Sequence, residues 1–356
     1  MCLFLSGAGR SFLPPPKPQV FYGRDAEITH LVDLALKPSP KGNARLGIKG
    51  TAGIGKTDLA LAILNDKRVK DAFGSSRVFI RCRDLTPEQQ TADGLLCELA
   101  LKLGLTLGGD ILSDVTTQLE ELDRVIIVLD ALEAIWSPIN STVEIEAERF
   151  MDALSSIDTV VLMVTVRGTA LPQNVRWTNR FDKPLGTLPL DAAREAFLDL
   201  TECEAAQTPA ERASLDELLN AVDRHPQSVQ LLARLNDPPS SLVKEWKAER
   251  TELLQSDYHD GSRPELSVVV SIMLSIKMLP PPEHDAQPLE LLNAVRTYAD
   301  GLPQDMQHDL RSQYKRFDRA RRQLERHGLV QAGSNGSLRA LAPLQHLDQS
   351  HLPVKH

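Results

Sequence analysis

Aromatic residues and cysteines are scarce in this chain. Phe, Trp and Tyr together make up 4% of the 356 residues, so the interior has to be built mainly from Leu, Val, Ile and Ala. The four cysteines, Cys2, Cys82, Cys97 and Cys203, stand far apart and form no C-x-x-C pair. This spacing argues against a zinc site and against a disulfide framework. We therefore expect reduced, buried thiols in a cytoplasmic protein.

Long apolar runs and a basic excess are also missing. No apolar stretch approaches the roughly 20 residues that span a bilayer. Residues 1–9 are apolar but lack the basic region and the full apolar region of a signal peptide. The formal net charge of -8 creates no overall field that attracts nucleic acid or anionic lipid. With 42% hydrophobic and 25% charged residues, the composition is that of a soluble globular protein of two or three domains. We expect neither a membrane nor a nucleic-acid partner.

Four apolar runs alternate with helical patterns in the first half of the chain. The runs cover residues 46–49, 77–82, 125–129 and 160–166. Continuous apolar runs of this length are typical of strands buried on both faces of a parallel sheet. Amphipathic stretches such as residues 93–103 lie between them. The alternation predicts an α/β fold in which helices cover both faces of an open parallel sheet.

The second half of the chain has mainly helical patterns. Amphipathic helices are predicted at residues 192–200, 209–222, 228–235, 289–298, 305–313 and 314–327. Pro-, Gly- and Asp-rich stretches at 256–264 and 280–288 are typical of exposed connections. Near the end, two short apolar strands flank the turn residues at 333–336. Helices followed by such a hairpin predict a winged-helix module.

The strongest motif follows the first apolar run. Residues 50–57 read GTAGIGKT and fit the consensus G-x-x-x-x-G-K-[ST] between a strand and a helix. Glycines let successive main-chain N–H groups turn toward a phosphate, and the helix N-terminus adds partial positive charge. We predict that Lys56 bridges the β- and γ-phosphates of a purine nucleotide, ATP or ADP, and that Thr57 binds Mg²⁺. The plain alternative is a glycine-rich turn before a helix. The predicted cofactor contacts of this segment are Gly50, Thr51, Ala52, Gly53, Ile54, Gly55, Lys56, Thr57 and Asp58.

Charged residues end two of the later apolar runs. Asp130 matches a Walker B acid, which would hold Mg²⁺ at the carboxyl edge of the sheet; alternatively it caps the next helix. Because Ala131 follows instead of a second acid, Glu133 is the candidate that orients the attacking water, although an exposed helical charge would look the same. Arg167 would sense the γ-phosphate, with an ordinary surface charge as its alternative. The predicted catalytic residues are thus Lys56, Asp130, Glu133 and Arg167, and the predicted metal ligands are Thr57 and Asp130.

Several short motifs outside the phosphate loop resemble those of one family. FYGRD at residues 21–25 and DALEAIW at 130–136, with LPL at 188–190, EAF at 195–197 and RHP at 224–226, are similar to motifs of the STAND class of signalling ATPases. This class includes the NB-ARC proteins of plant immunity and animal apoptosis and many fungal relatives, to which the second motif is most similar. The resemblance implies that Tyr22, Gly23, Arg24 and Pro226 contact the adenine nucleotide.

The chain departs from that family at several positions. Arg224 stands in place of the motif glycine, and Gln227 in place of the usual Leu after Pro226. Residues 341–343 read LAP where many members have Met-His-Asp, so the histidine that senses ADP has no obvious equivalent. Neither the C-terminal repeats nor an N-terminal effector domain is recognisable. The chain is therefore expected to represent the switch region alone, as in a truncated gene product.

The resemblance also implies an architecture and a function. The expected sheet has strand order 5-1-4-3-2. The expected segments are a tail (1–18), a P-loop nucleotide-binding domain (19–190), a helical domain (191–255), a connection (256–284) and a winged-helix domain (285–356). The implied function is a regulatory switch, at most a slow ATPase, that uses Mg²⁺. ADP would close the domains, and ATP would favour an open state that self-associates and engages protein partners not identified by the sequence.

Other interpretations remain open at this point. A transcriptional regulator would use a basic helix face in a DNA groove, and arginines recur at helical spacing at Arg316, Arg319, Arg322 and Arg326. A fast hydrolase or phosphotransferase would need an acceptor pocket and a strong base. A degenerate family member would hold ADP without turnover.

Overall fold

The computed structural model of the protein describes residues 13–37, 43–136, 142–168, 170–178, 184–255, 266–277, 279, 288–298, 301–313, 316–332, 336–341 and 344. Contacts within the chain divide it into two compact units. The first comprises Met1–Thr51 and Gly55–Gly186, and the second comprises Ala52–Ile54 and Thr187–His356. The predicted domain boundaries at residues 190, 255 and 284 stay predictions.

The first unit alternates strands and helices. Its strands are β1 (Arg45–Gly50), β2 (Arg77–Arg81), β3 (Val125–Asp130) and β4 (Val160–Arg167). Its α-helices are α1 (Asp25–Leu36), α2 (Lys56–Leu64), α3 (Lys67–Phe73), α4 (Ala92–Lys102), α5 (Ile111–Glu120) and α6 (Thr142–Ser156). Short 3₁₀ helices cover Cys82–Asp84, Pro87–Gln89 and Leu132–Ala134. The four strands predicted from apolar runs are confirmed.

The four strands form one parallel sheet in the order β1-β4-β3-β2. In its register, Arg167 lies beside Gly50 and Arg81 lies beside Asp130. Since the strands are parallel, their carboxyl ends meet at one edge, where open α/β sheets bind ligands. The predicted order 5-1-4-3-2 contains the same run of four strands. Its fifth strand is not among the described residues, and the five-strand order stays a prediction.

Main-chain hydrogen bonds also reach the edge of β1 that does not face β4. The Thr178 N–H donates to the Arg45 carbonyl at 2.8 Å, and the Leu185 N–H donates to the Lys49 carbonyl at 2.7 Å. These bonds satisfy part of a strand edge that would otherwise present unpaired polar groups.

Helices cover both faces of the sheet, as the sequence predicted. In β3, Ile126 and Val128 pack with side chains of α1, α2 and α3. Val125, Ile127 and Leu129 pack on the other face with side chains of α4, α5 and α6. Because successive side chains of a strand point to opposite faces, an uninterrupted apolar strand contributes to two cores.

The described part of the second unit is mainly helical. Its α-helices are α7 (Leu190–Leu200), α8 (Arg212–Ala221), α9 (Pro226–Ala233), α10 (Pro239–Gln255), α11 (Leu266–Lys277), α12 (Pro288–Arg296), α13 (Gln304–Gln313) and α14 (Phe317–Arg326). A 3₁₀ helix covers Glu204–Gln207, and β5 (Val330–Ala332) pairs with β6 (Leu338–Ala340) in an antiparallel hairpin. Within the described ranges of the whole chain, no helix is both long and apolar enough to cross a bilayer.

The sequence-based prediction missed α11, which lies inside the expected connection. Residues 268–276 are all buried, including Ser271 and Ser275 at 0% exposure. The Ser275 hydroxyl donates to the Ser271 carbonyl at 2.8 Å, so the buried polar group is satisfied within the helix. A helix that is apolar on all sides is a core helix, and α11 packs against α9 and α10. The proline- and glycine-rich stretches on either side dominated the prediction and lie almost entirely outside the described residues.

The last helices pack with the terminal hairpin. α12 contacts α14 and β6, and α14 contacts β5. Phe317, Ala320 and Leu324 form the buried side of α14. The buried Gln307 amide donates to the Leu302 carbonyl at 2.9 Å and to the Gly336 carbonyl at 3.0 Å. The predicted hairpin is confirmed, whereas the winged-helix assignment stays a prediction.

Candidate phosphate-binding site

A glycine-containing loop joins β1 to the N-terminus of α2. Gly53 and Gly55 have φ angles of 71° and 93°, in the left-handed region that glycine adopts without a Cβ penalty. Gly55 is the N-cap of α2, and because it has no side chain, no side-chain hydrogen bond caps this end of the helix. Unbonded N–H groups at such an end form a binding site for an anion.

Lys56 folds back onto this loop. Its Nζ donates to the Gly50 carbonyl at 3.0 Å and to the Thr51 carbonyl at 2.7 Å. Burial lowers the pKa of Lys56 to about 8, although the charges of Glu133 and Asp130 act in the opposite direction. The ammonium is thus held at the mouth of the loop by neutral acceptors, which a phosphate oxygen can replace.

Asp130 is the centre of a network of short hydrogen bonds. Its residue is 1% exposed, and the Thr57 hydroxyl lies 2.8 Å and 3.1 Å from its two carboxylate oxygens. The Thr165 hydroxyl donates to Asp130 Oδ1 at 2.7 Å and accepts from the Ala131 N–H at 2.8 Å. The alternative was that Asp130 caps the following helix. Its carboxylate instead accepts the hydroxyls of Thr57 and Thr165.

The pair Thr57 and Asp130 fits a divalent cation. A hydroxyl and a carboxylate at hydrogen-bond distance are hard oxygen ligands, and Mg²⁺ prefers one or two carboxylates together with phosphate oxygens and water. In the described residues, at this site or any other, no group of three or more His, Cys, Asp or Glu side chains is placed to hold a metal ion by itself.

Arg81 was missed by the sequence interpretation. It ends β2, and its Nε lies 3.4 Å from Asp130 Oδ2. Its guanidinium also lies over the ring of Phe79, 5.8 Å from the centroid. The available signal was its place at the end of an apolar strand, which is the same argument that selected Asp130 and Arg167.

Glu133 lies within the 3₁₀ turn after β3 and is held from two sides. Its Oε2 accepts the Arg167 N–H at 3.0 Å, and its Oε1 lies 3.5 Å from Arg83 Nη2. The side chain is 25% exposed, so it is not the fully solvated charge of the alternative interpretation. Arg83, like Arg81, was not predicted.

Arg167 ends β4 beside Gly50. Its residue is half-buried, and its charge is close enough to oppose protonation of Lys56. The structure therefore brings Lys56, Asp130, Glu133 and Arg167 to one edge of the sheet. Their catalytic roles stay predictions.

Two further groups adjoin Asp130. Asp58 follows Thr57 in α2, and desolvation by the surrounding protein, followed by the charge of Asp130, raises the pKa of its carboxyl. Cys82 is fully buried directly after Arg81, and burial together with the Asp130 charge raises the pKa of its thiol well above the ordinary value. Cys97 is also buried and Cys203 is partly exposed, so the prediction of buried thiols is confirmed for two of the three described cysteines.

The segment before α1 is fixed by Arg24. Its side chain is 4% exposed, and it donates to the Gly186 carbonyl at 2.6 Å and to Glu27 at 3.1 Å. Gly23 has a φ of 67°, which turns the chain into the helix. The predicted adenine contacts of Tyr22, Gly23 and Arg24 stay predictions.

Pro226 belongs to the second unit and begins α9, a position that suits proline because its missing N–H would have no helical partner. Arg224, two positions before Pro226, has a φ of 54°, in the left-handed region that the motif's usual glycine would adopt at no cost. Within the same unit, a Cβ on Gly53 would lie 1.9 Å from Gln227 Oε1, so no side chain fits at Gly53. The adenine contact of Pro226 stays a prediction.

Solved structures similar to this chain include a Walker-type ATPase, an Orc1 protein and a Cdc6 protein. A Walker-type ATPase of Pyrococcus abyssi is 13% identical, with 94% of this chain and 98% of that chain covered and a TM-score of 0.43. The Aeropyrum pernix Orc1 protein in complex with DNA is 16% identical, with 93% and 92% covered and a TM-score of 0.43. Cdc6p from Pyrobaculum aerophilum is 14% identical, with 94% and 95% covered and a TM-score of 0.44.

No curated protein sequence matches the chain. The model of one protein family does: Novel STAND NTPase 1 matches residues 11–233. This segment is more than half of the chain, and it contains the whole parallel sheet, the glycine loop and Asp130. The chain therefore belongs to the Novel STAND NTPase 1 family, a group of P-loop nucleoside triphosphatases.

Proposed function

We propose that the protein is an ATP- and ADP-binding switch of signalling type, with slow hydrolysis and with Mg²⁺ as its metal. The observation that carries the proposal is the meeting of Lys56, Thr57 and Asp130 beside the glycine loop at the carboxyl edge of the sheet. A P-loop site requires a cation that binds phosphate, here Lys56, and oxygen groups that hold a metal, here Thr57 and Asp130.

The loop residues bind the phosphates. The main-chain N–H groups from Gly50 to Thr57 and the N-terminus of α2 would surround the β-phosphate. Lys56 Nζ would exchange the Gly50 and Thr51 carbonyls for phosphate oxygens, which is favourable because the ammonium then meets an anion in a partly desolvated place.

Thr57 and Asp130 would hold the metal. When bound, Mg²⁺ supplies charge neutralisation to the β- and γ-phosphate oxygens. The Thr57 hydroxyl would coordinate directly, and Asp130 would accept hydrogen bonds from the water shell. Thr165 keeps the carboxylate in this position through its bond to Oδ1.

The environment of Glu133 supports slow turnover. Its two carboxylate oxygens face the Arg167 N–H and the Arg83 guanidinium, so both oxygens are already engaged by protein groups instead of being aimed at an attacking water. Arg167, next to Gly50 in the sheet register, would sense the γ-phosphate. A kinase-like rate of roughly 1–100 s⁻¹ is therefore not expected.

The switch itself needs a difference in affinity between two states. Moving a population from 1:99 to 99:1 takes about 5.5 kcal/mol of differential binding. We propose that ADP favours a closed state through Tyr22, Gly23, Arg24 and Pro226 at the adenine, and that ATP favours an open state that self-associates. This NB-ARC-like behaviour, including the winged-helix module, is supported by the residues that resemble those motifs.

Nucleotide binding is tested with Lys56→Ala. The substitution removes the phosphate cation and should abolish binding of ADP and ATP in isothermal titration calorimetry with Mg²⁺. The matched control is Lys67→Ala, at an exposed lysine in α3, which should bind as the wild type does. Wild-type affinity in Lys56→Ala would contradict the proposed function.

A further inference from the structure

An arginine occupies the place beside Asp130 where the site would hold a divalent cation. Arg81 is the register neighbour of Asp130 in the sheet, and its Nε lies 3.4 Å from Oδ2. The Asp130 side chain is 2% exposed, whereas that of Arg81 is 31% exposed. A buried carboxylate without a counter-charge is strongly disfavoured, so this ion pair neutralises Asp130 in the metal-free protein.

The two oxygens of Asp130 have different partners. Oδ1 accepts the hydroxyls of Thr57 and Thr165 at 2.8 Å and 2.7 Å. Oδ2 has the longer Thr57 contact, 3.1 Å, and faces the guanidinium of Arg81. The hydrogen bonds to Oδ1 fix the carboxylate in place. Oδ2 contacts the Arg81 guanidinium, and it is the oxygen that would also face a metal ion and its water shell.

We propose that Arg81 substitutes for the divalent cation at Asp130 and that the two compete for this carboxylate. The inference rests on the proposed function, because the metal concerned is the one that accompanies a nucleotide. When the cation binds near Thr57 and Asp130, two positive groups adjoin one carboxylate, and repulsion moves the guanidinium away from Oδ2. When the cation leaves, Arg81 returns, so a nucleoside diphosphate can stay bound without metal.

The position of Arg81 suits such a movement. Its side chain reaches solvent and rests over the Phe79 ring at 5.8 Å, which offers a cation–π contact that does not involve Asp130. Arg83, two residues further on in the 3₁₀ helix that follows β2, pairs instead with Glu133. It provides a matched control, since the same loss of one positive charge occurs beside a different acid.

The first experiment uses Mn²⁺ alone on the nucleotide-free full chain, with free Mn²⁺ measured by electron paramagnetic resonance. Arg81→Gln should bind Mn²⁺ at least about tenfold more tightly than the wild type, the size expected for removing one charge-assisted contact. Adding Asp130→Asn should remove the gain. Arg81→Lys keeps the charge and should match the wild type, which separates loss of charge from loss of packing. Arg83→Gln should show a smaller gain than Arg81→Gln.

The second experiment measures the dissociation constant of ADP in EDTA and in Mg²⁺. In Arg81→Gln the dissociation constant of ADP in EDTA should increase, while that in Mg²⁺ should stay the same or decrease. The ratio of the EDTA value to the Mg²⁺ value should therefore rise about tenfold or more. Arg83→Gln should weaken both values in proportion. An unchanged Mn²⁺ affinity or an unchanged ADP ratio in Arg81→Gln would overturn the inference. If the wild type binds no ADP while Arg81→Gln gains Mn²⁺, the proposed function fails and the competition at Asp130 stands.

Discussion

Lys56 has a pKa close to the physiological range, which makes nucleotide affinity depend on pH. Its folded-state pKa is lowered to about 8, so the ammonium is intact below that pH and is lost above it. The charges that act on this ammonium come from Glu133, Asp130, Arg167 and Arg83. Lys56 is therefore the group expected to govern binding between about pH 7 and 9.

We expect the dissociation constant of ADP to be flat up to about pH 8 and then to rise toward tenfold per pH unit, since the bound phosphate requires the protonated amine. Calorimetry across this pH range measures the profile. Lys56→Arg keeps its charge throughout this pH range and should give a flat profile, even if its affinity is lower. A flat wild-type profile would show that Lys56 does not provide the phosphate cation.

Thr165 connects β3 and β4 through Asp130 and Ala131. Replacing it by Val preserves the shape but leaves the Ala131 N–H and one Asp130 contact without a partner in a buried place. We expect Thr165→Val to lower the free energy of unfolding by about 1–3 kcal/mol, measured by urea denaturation. The control is Thr116→Val on the surface of α5, which should change it by less than about 0.5 kcal/mol. Equal effects would contradict the role of Thr165.

The residues of the site differ in how visible they were in the sequence. Lys56, Thr57 and Asp130 were predictable because a contiguous motif and a strand end encode their positions. Thr165, Arg81 and Arg83 were not, because their roles arise from contacts with residues 35 to 50 positions away in the chain. A single sequence contains the strands but not the register that pairs them.

At the scale of elements, the turn into α2 depends on glycine conformation. A Cβ on Gly55 would meet nothing within 4 Å, so the cost of Gly55→Ala comes only from its φ of 93°. We expect a loss of about 1–2 kcal/mol in unfolding free energy together with weaker ADP binding. A Cβ on Gly108 would also meet nothing within 4 Å, but the φ of Gly108 is not in the left-handed region. Gly108→Ala should therefore be neutral or stabilise the protein by up to about 1 kcal/mol. Both values come from denaturant melts, and equal values would contradict the conformational explanation.

The strands and several helices were predictable because their apolar patterns are self-contained. β2, β3 and β4 are apolar runs that contribute to cores on both faces of the sheet, whereas Leu46 and Ile48 of β1 contribute to one. α11 was missed because an all-round apolar helix shows no periodicity, and its burial against α9 and α10 comes from tertiary packing alone. Local patterns thus identified the buried strands, whose short apolar runs are distinctive, and failed for a helix that is buried on all sides.

At the scale of the whole molecule, the proposed switch predicts a nucleotide-dependent assembly state. Sedimentation velocity at equal protein concentration should show the smaller species with ADP and Mg²⁺ and a larger one with a non-hydrolysable ATP analogue. Lys56→Ala should sediment identically in both, because it binds neither. The same sedimentation of the wild type in both nucleotides would contradict self-association in the ATP state.

The alternative of a DNA-binding helix finds only partial support in α14. Arg326, one of the four regularly spaced arginines, pairs with Glu202 at 3.4 Å. This acid interrupts the basic face that the arginine spacing suggested. Whether a helix face is uniformly charged depends on its spatial neighbours, and the sequence alone could not supply them.

The buried thiol of Cys82 can report local motion at the carboxyl edge of the sheet. Its sulfur is fully enclosed, and its raised pKa leaves almost none of the reactive thiolate. A maleimide can therefore modify this position only during brief local openings of the corner shared by Arg81 and Asp130. The rate of adduct formation, followed by peptide mass spectrometry, therefore reports the frequency of those openings without an engineered label.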